Sequence, residues 1–492
     1  MKLYLLPFFF LLFFCACSSS RHYQPTHKFG KKELQSDYLL LKDILEKKHP
    51  SLYWYTSKDS MDIYFDTYYK AITDSMTELQ YAWNILAPLI DKIHCGHTSV
   101  SMSKAYAKWS EGRRQPSFPL YFKVWNDTMA VTANLNRKDS VFKYGTLVTS
   151  INGIKNIDII RKMFSYLPED GQAYNVNFMR LSGNFPYFHR NIFGLSKTYK
   201  VNYIDSLGNA KTADLAQYSP PKDSLKKDSL AKITKKALPK VPKEKRLLQY
   251  RSLKIDSSQT TGVMTINTFT NGKLRSFFRR SFRQLQKEKI KNLVVDLRLN
   301  GGGRVGLSTL LTRYVTRHTF KVADTLTTES KSLGPYTKYV KGKLLNNLEL
   351  LLIAHKRADG RYHLTHLENK TYQLRSSNNF KGKVYVLTSG LTFSASALFC
   401  NAVKGQEGIT LVGEETGGGW YGNNGIMIPD IKLPRTQLRV RLPLFRLVQY
   451  KHIAEKGSGI LPDVLVTPNL TALKKGIDYK MEVVKKLIIA DR

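Results

Sequence analysis

The sequence predicts a multidomain α/β protein with a helical N-terminal segment, a β-rich middle domain, and a C-terminal core of alternating strands and helices. Three observations carry this. Leu34, Tyr38, Leu41 and Leu45 recur at helical spacing near the N-terminus. Strand-like runs dominate from about residue 116 to residue 205, with an Asn152-Gly153 turn among them. From Tyr250 onward apolar strands alternate with helical patterns, the order expected of a sheet covered by helices. A chain of 492 residues holds about three such units at roughly 150 residues each.

Composition narrows the function classes. Apolar residues make up 42% and aromatics 12%, which supplies a core and excludes a disordered chain. No internal run of about 20 apolar residues occurs, which excludes a polytopic membrane protein. Four cysteines without a CxxC pair are too few for a disulfide scaffold of this size. Lys and Arg number 77 against 38 Asp and Glu, a formal net charge of +39. That excess fits a solvated basic surface, a surface facing anionic membrane or glycan, or a nucleic-acid site.

The elements follow in order. Lys2 precedes an apolar run from Leu3 to Phe14, too short to span a bilayer and typical of a signal-peptide core. Phe14-Cys15-Ala16-Cys17 resembles a bacterial lipobox, in which a small residue precedes the cysteine that is lipidated after cleavage. Residues 1–16 therefore read as a lipoprotein signal peptide, Cys17 as the lipidation site and the polar residues 17–30 as a tether. An ordinary cleaved signal is the alternative. The expected location is the bacterial cell envelope, with the membrane as a partner through the N-terminal lipid.

Residues 31–112 form the helical domain. His49-Pro50 ends its first helix, and Thr77 with Gln80 forms a capping box for a second that Pro88 should kink or split. The segment ends in His94-Cys95-Gly96-His97-Thr98. Residues 113–207 form the β-rich domain. A strand follows Gly145, closes on Asn152-Gly153 and leads to a helix over 157–164. That order resembles a PDZ-like domain, whose groove takes an extended peptide as an added strand. Residues 208–249 read as a basic linker or insertion. The stretch 222–246 has ten Lys or Arg against Asp223, Asp228 and Glu244, a net +7, and so has little to bury. A polyanion site there is the sharper alternative. In the core, residues 250–492, strands are expected at 261–270, 292–297, 384–388 and 409–413. Helices are expected at 272–287, 306–316 and 394–403.

Three core segments carry chemistry. Asp296-Leu297-Arg298-Leu299-Asn300-Gly301-Gly302-Gly303 ends a buried strand in glycines whose N–H groups could approach an oxyanion or phosphate closely. A plain tight turn explains it equally well. Thr388-Ser389-Gly390-Leu391-Thr392-Phe393-Ser394-Ala395-Ser396 leads a strand into a helix, with Ser394 at the N-terminus where the dipole favours developing negative charge. Ser394 as a simple cap is the alternative. Val412-Gly413-Glu414-Glu415-Thr416-Gly417-Gly418-Gly419 opens a third strand into a Gly-rich loop, either a cleft wall or a surface loop.

In this order the three segments resemble the S41 serine peptidases, both the C-terminal processing and the tricorn-core-like branches, over about residues 251–470. The resemblance implies an α/β core of the ClpP/crotonase type, a peptide or protein substrate and no cofactor. It makes Ser394 the nucleophile and implies an oxyanion hole from Gly302 and Ala395, with Gly303 beside them. Processing members take their base, a lysine, from the loop where Gly419 stands here, and no lysine lies between Lys404 and Lys432. The tricorn-like pattern points instead to His97, and histidine titrates in the range a general base needs. By the same resemblance Glu455, shortly before Gly459-Ile460-Leu461-Pro462-Asp463, would orient the imidazole. Gly96 stands where the family places a serine.

Cys95 flanks His97 and Cys400 follows Ser394, so an envelope compartment would permit a disulfide between them. His94, Cys95 and His97 could ligate zinc, but a fourth ligand at recognisable spacing is missing. The even spread of basic residues favours a surface near an anionic envelope, so no nucleic-acid partner is expected. The competing function is a catalytically inactive S41 scaffold that binds peptide or glycan. For the anchor, metabolic labelling with palmitate should mark the wild-type chain and not Cys17→Ala. An unlabelled wild type would remove the anchor.

Overall fold

The computed structural model describes residues 23–221, 242–340, 343–453 and 456–490. Cys17, the signal segment, Glu455 and most of the basic stretch 222–246 lie outside the described residues. Among the described residues no helix is long and apolar enough to cross a membrane.

The first helix, Lys31–Lys48, buries Leu34, Tyr38, Leu41, Ile44 and Leu45 and ends at His49. Full burial of such side chains contributes roughly 1.5–3 kcal/mol each, enough to hold one face of the helix onto the rest of the N-terminal core. The Thr77–Gln80 capping box forms as the sequence predicts. Beyond it the helix changes character. A π-helical turn, Ala82–Leu86, separates Glu78–Tyr81 from Ala87–Asp91. Pro88 lies in the first turn of that last piece, so the N–H it lacks is missing just where the chain passes from the π-helical turn back to α-helix.

The middle domain is an antiparallel sheet in which Leu120–Trp125 pairs with Thr128–Asn134, which pairs with Leu147–Ile151. Leu147–Ile151 pairs in turn with Thr198–Ile204 and that strand with Ala210–Ala216. Asn152 and Gly153 both take positive φ, 50° and 79°, as the hairpin turn requires. The expected helix forms as Asn156–Phe164. The strand-rich reading of about 116–205 left out a second helix, the 19-residue Asn175–Phe193, kinked at Asn184 and carrying Pro186. Its buried positions Leu181, Phe185 and His189 recur every four residues, but the break at Asn184 interrupts the period along the sequence.

The core sheet has six strands. Arg251–Ile255 is antiparallel to Thr261–Ile266; parallel neighbours follow in the order Asn292–Asp296, Lys383–Thr388, Ile409–Gly413 and Val464–Leu465. Alternate residues of each strand point to opposite faces. Val295 and Leu297 pack with the helices Leu274–Lys287, Val305–Val315 and Ala395–Val403. Val294 faces the other way, against Val484 and Ile488 of the helix Tyr479–Ala490. Burial on both faces is why these strands read as continuous apolar runs.

Two connections tie the N-terminal segment to this core. Ser99–Ser101, just after His97, pairs antiparallel with Arg439–Arg441. Buried Asp37 accepts the N–H groups of Arg435 and Thr436 and the Thr436 hydroxyl. Cys95 and Cys400 are free buried thiols, which closes the pairing that the sequence left open. Cys95 packs among the N-terminal helices and Cys400 among the helices over the core sheet. Burial pushes the Cys95 thiol up to about 12 and raises that of Cys400, which leaves both unreactive.

His189 sits inside the β-rich domain between Phe118, Phe193 and Tyr199, with ring centroids at 4.7, 5.2 and 5.5 Å. Burial lowers its pKa to about 4, against about 6.5 in an unfolded chain. The unfolded state therefore binds the proton first, and stability falls as pH drops from 6.5 towards 4, by at most about 3 kcal/mol. Replacing His189 by Phe should flatten this dependence. Thermal melting of the wild type and of His189→Phe at pH 7 and pH 4.5 should show a smaller pH-induced drop in the variant. Equal drops would remove His189 as a source of acid sensitivity.

Candidate active site

The strand Lys383–Thr388 turns through Ser389–Phe393 into the helix Ala395–Val403, with Ser394 as its first flanking residue. Ser394 has φ 55° and ψ −121°, a conformation that costs a non-glycine residue on the order of 1–3 kcal/mol. Its hydroxyl makes no capping bond, so the simple-cap alternative fails. The turn is pinned around it. Thr392 Oγ1 accepts from Ser389 N at 3.0 Å and donates to Leu297 O at 3.0 Å. Phe393 N donates to Asn300 O at 3.1 Å.

The glycine loop closes on the serine from the neighbouring strand. A Cβ on Gly302 would stand 2.8 Å from Ser394 Cβ and 2.9 Å from Ala395 N, so only glycine permits this approach. Gly302 has φ +96° and Gly303 φ +135°. The Gly302 N–H donates to Asn300 Oδ1 at 2.9 Å, and its carbonyl accepts from Phe269 N. The Asp-Leu-Arg part of the motif is structural. The Arg298 guanidinium grips Asp296 at 2.7–3.0 Å and Asp478 at 2.7–2.8 Å, tying the strand end to the start of the last helix.

His97 meets Ser394 from the N-terminal segment. A Cβ on Gly425 would lie 2.9 Å from Ser394 Oγ, 3.1 Å from His97 Nε2 and 3.0 Å from Asn423 Oδ1. The three polar atoms therefore converge on the space that Gly425 leaves empty. The Asn423-Asn424-Gly425 turn is held there. Gly425 N donates to Asn423 Oδ1 at 2.9 Å, and Asn424 Nδ2 donates to Ser51 Oγ at 2.7 Å. The His97 ring lies on Phe393 at 4.7 Å and is 5% exposed. Neither of its nitrogens makes a hydrogen bond among the described residues, a looseness common in catalytic pairs without substrate. Gly96 stands in place of the family's serine for a steric reason. A Cβ there would come within 2.8 Å of the Phe393 ring and 3.2 Å of Asp170 Oδ1.

Behind the imidazole stands a carboxylate that the sequence reading did not single out. Asp170 Oδ1 is 3.7 Å from His97 Nδ1 and accepts the Gly96 N–H at 2.9 Å. It belongs to a Glu169-Asp170-Gly171-Gln172 turn whose Gly171 packs against Gly457, and Gln172 N donates to Gly457 O at 2.7 Å. Two residues before Gly457 comes Glu455, which lies outside the described residues. An Asp-Gly turn carries no motif, and only the packing of the β-rich domain against the His segment brings Asp170 here. Its neighbour Glu169 bonds His94 Nδ1 at 3.0 Å and Asn177 Nδ2 at 2.7 Å. That hydrogen bond, acting against burial, raises the His94 pKa.

At the lysine position, Gly419 is buried and its N–H reaches Asp170 Oδ2 at 3.5 Å. Lys480 reaches the core strands, but its ammonium is spent on Glu414 and on Thr388 O. No group of three or more His, Cys, Asp or Glu able to hold a metal occurs among the described residues.

A serine on a strained strand-to-helix turn with an imidazole facing it is the arrangement of a serine hydrolase. Residues 260–466 match peptidase family S41, so the chain carries the core of an S41 peptidase. Among solved structures it is similar to mature CPAF, with TM-score 0.63, 13% identity and coverage of 93% of this chain and 97% of that one. It is similar also to mature CPAF complexed with lactacystin, at TM-score 0.62 and 12% identity, over 93% of this chain and 98% of that one. The photosystem II D1 C-terminal processing protease aligns at TM-score 0.41 and 13% identity, over 89% and 94%. No curated protein matches the sequence.

Gly425→Ala puts a methyl group between Ser394 Oγ and His97 Nε2 without demanding a left-handed backbone. Peptide hydrolysis by this variant should fall at least about 100-fold, the scale of a displaced proton transfer, with a melting temperature within a few degrees of wild type. Unchanged hydrolysis would show that the space beside Gly425 is not where the reaction occurs.

Proposed function

We propose that the protein is an envelope-anchored serine endopeptidase that cleaves peptide bonds through an acyl-enzyme. The observation that carries this is the convergence of Ser394 Oγ and His97 Nε2 beside Gly425, with Asp170 behind His97 Nδ1. His97 Nε2 takes the Ser394 hydroxyl proton as Oγ attacks the scissile carbonyl carbon. The tetrahedral intermediate collapses as His97 Nε2–H protonates the leaving amine and the C–N bond breaks. A water molecule, deprotonated by the same nitrogen, then attacks the Ser394 ester and releases the acid.

The oxyanion forms between the helix N-terminus and the glycine loop. Ala395 N–H and the Gly302–Gly303 backbone are its donors. Asn300 holds the Gly302 N–H in this conformation, so Gly303 serves first, and Gly302 joins when Asn300 turns away. Asp170 takes the orienting role for the imidazole, keeping the proton on Nδ1 and stabilising the imidazolium. Peptide reaches the serine along the β-rich domain and the Gly-rich loop. Lipidation at Cys17 and the basic surface hold the enzyme against an anionic envelope.

Ser394→Ala and His97→Ala should each abolish cleavage of a peptide library while leaving circular dichroism and melting unchanged. A variant retaining turnover would remove that residue from the mechanism. Asp170→Asn keeps an oxygen for the Gly96 N–H but loses the charge beside Nδ1. Its kcat should fall by about two to four orders of magnitude with KM little altered. A purely structural Asp170 would instead lower stability and the yield of active enzyme, with kcat per active site preserved.

A further inference from the structure

Asp170 Oδ1 stands 3.7 Å from His97 Nδ1, beyond the roughly 2.7–3.2 Å of an N–H···O bond. The orienting contact therefore depends on how firmly the turn of Asp170 is held against the loop of His97. Three contacts join the two segments. Gly96 N donates to Asp170 Oδ1 at 2.9 Å, and Gly171 N donates to His94 O at 3.0 Å. Beside them, His94 Nδ1 meets Glu169 Oε1 at 3.0 Å. His94 has φ 52°, an uncommon conformation for a residue other than glycine.

Of these contacts, the side-chain bond continues into the body of the β-rich domain. Glu169 is 1% exposed, and its second oxygen accepts Asn177 Nδ2 at 2.7 Å. Asn177 lies on the helix Asn175–Phe193, where Nδ2 also donates to Leu167 O and Oδ1 accepts from Arg180 at 2.8 Å. Arg180 donates in addition to Pro168 O at 2.6 Å. Residues 167, 168 and 169 are thus each fastened to this helix, and Glu169 passes the connection on to His94.

The charges support the same connection. Three buried carboxylates gather here, Asp91, Glu169 and Asp170. Lys92 bonds Asp91 at 3.0 Å, and Arg180 feels the opposing charge of all three. The bond with Glu169 raises the His94 pKa and so favours the imidazolium, the third positive charge of the cluster. Removing one partner from such a buried pair leaves the other uncompensated.

We propose that His94 and Glu169 are positioning residues whose bond latches the Asp170 turn to the His97 loop and sets the distance from carboxylate to catalytic imidazole. This rests on the orienting role proposed for Asp170. Neither residue carries out a chemical step. Without the latch the Asp170 turn drifts, and a misplacement of about 1 Å costs on the order of 100-fold in rate.

The test follows hydrolysis of one fluorogenic peptide by the full chain and its variants. His94→Gly removes the imidazole and suits the left-handed backbone. Its kcat should fall at least about tenfold, with KM within about twofold and melting within a few degrees of wild type. His94→Asn sets an amide N–H near the place of Nδ1 and tolerates positive φ, so it should recover most of the lost kcat. In an Asp170→Asn background, His94→Gly should cost less than about twofold, because its effect passes through the carboxylate. If His94→Gly melts early, Glu169→Met is read in its place, with the same losses expected. An unchanged kcat, a His94→Asn variant as slow as His94→Gly, or a full further loss on top of Asp170→Asn would overturn the latch. A kcat insensitive to Asp170→Asn alone would instead remove the orienting role, and the latch with it.

Discussion

Ser394 holds a backbone conformation that an L-residue adopts only under compulsion, and the arrangement of the site follows from what compels it. The strand Lys383–Thr388 is buried in the middle of a parallel sheet and cannot shift. The helix Ala395–Val403 is buried along its whole length against Val305–Val315, with Ser308 Oγ bonded to Ala395 O at 2.6 Å. Between these fixed bodies the chain has few residues in which to reverse. Thr392 fastens the turn to the next strand through Leu297 O. The strain falls on Ser394, and the result is a hydroxyl lifted off the helix rather than folded back as a cap.

The groups that face this hydroxyl come from other parts of the chain, and no single domain owns the site. His97 arrives on a segment stapled to the core through Ser99–Ser101 and Arg439–Arg441. Asp170 arrives on a turn of the β-rich domain, and Asn423 and Gly425 at an edge strand, Gly422–Asn423, in the second half of the core. Small residues let these segments meet. Gly96 admits Phe393 under the imidazole, and Gly425 leaves the gap between the serine and the histidine. Because the parts are pre-positioned by buried sheet and helix packing, a methyl group at Gly425 is felt directly by Ser394 Oγ and His97 Nε2, and one at Gly96 by the Phe393 ring beneath the imidazole.

Much of the architecture was legible because local chemistry and tertiary structure agree. The Thr77–Gln80 box, the Asn152-Gly153 turn and most of the core strands formed as read, since each depends on neighbours in sequence, although the strand expected over 261–270 ends at Ile266. The helix Asn175–Phe193 was hidden by its own kink at Asn184, which divides one amphipathic face into two short ones. Asp170 was hidden for a different reason. Its role depends on a distance of 3.7 Å to a residue 73 positions earlier, and an Asp-Gly turn looks the same wherever it points. Cys95 and Cys400 show the converse case, a pairing that the sequence left open and the structure closes. Sequence proximity to Ser394 and His97 suggested a pair, but the two thiols point into different cores.

By itself the sequence determined which chemistry is available. A serine after a buried strand, glycines at the next strand end, a Gly-His-Thr segment and the missing loop lysine are all local facts. Their types and order carry the family and the kind of bond it breaks. Only the tertiary structure decided which groups meet. It set Asp170 behind the imidazole and made Arg298 a clamp on Asp296 and Asp478. The physical reason is that electrostatics and hydrogen bonding act over a few ångströms of space, while sequence records separation along the chain.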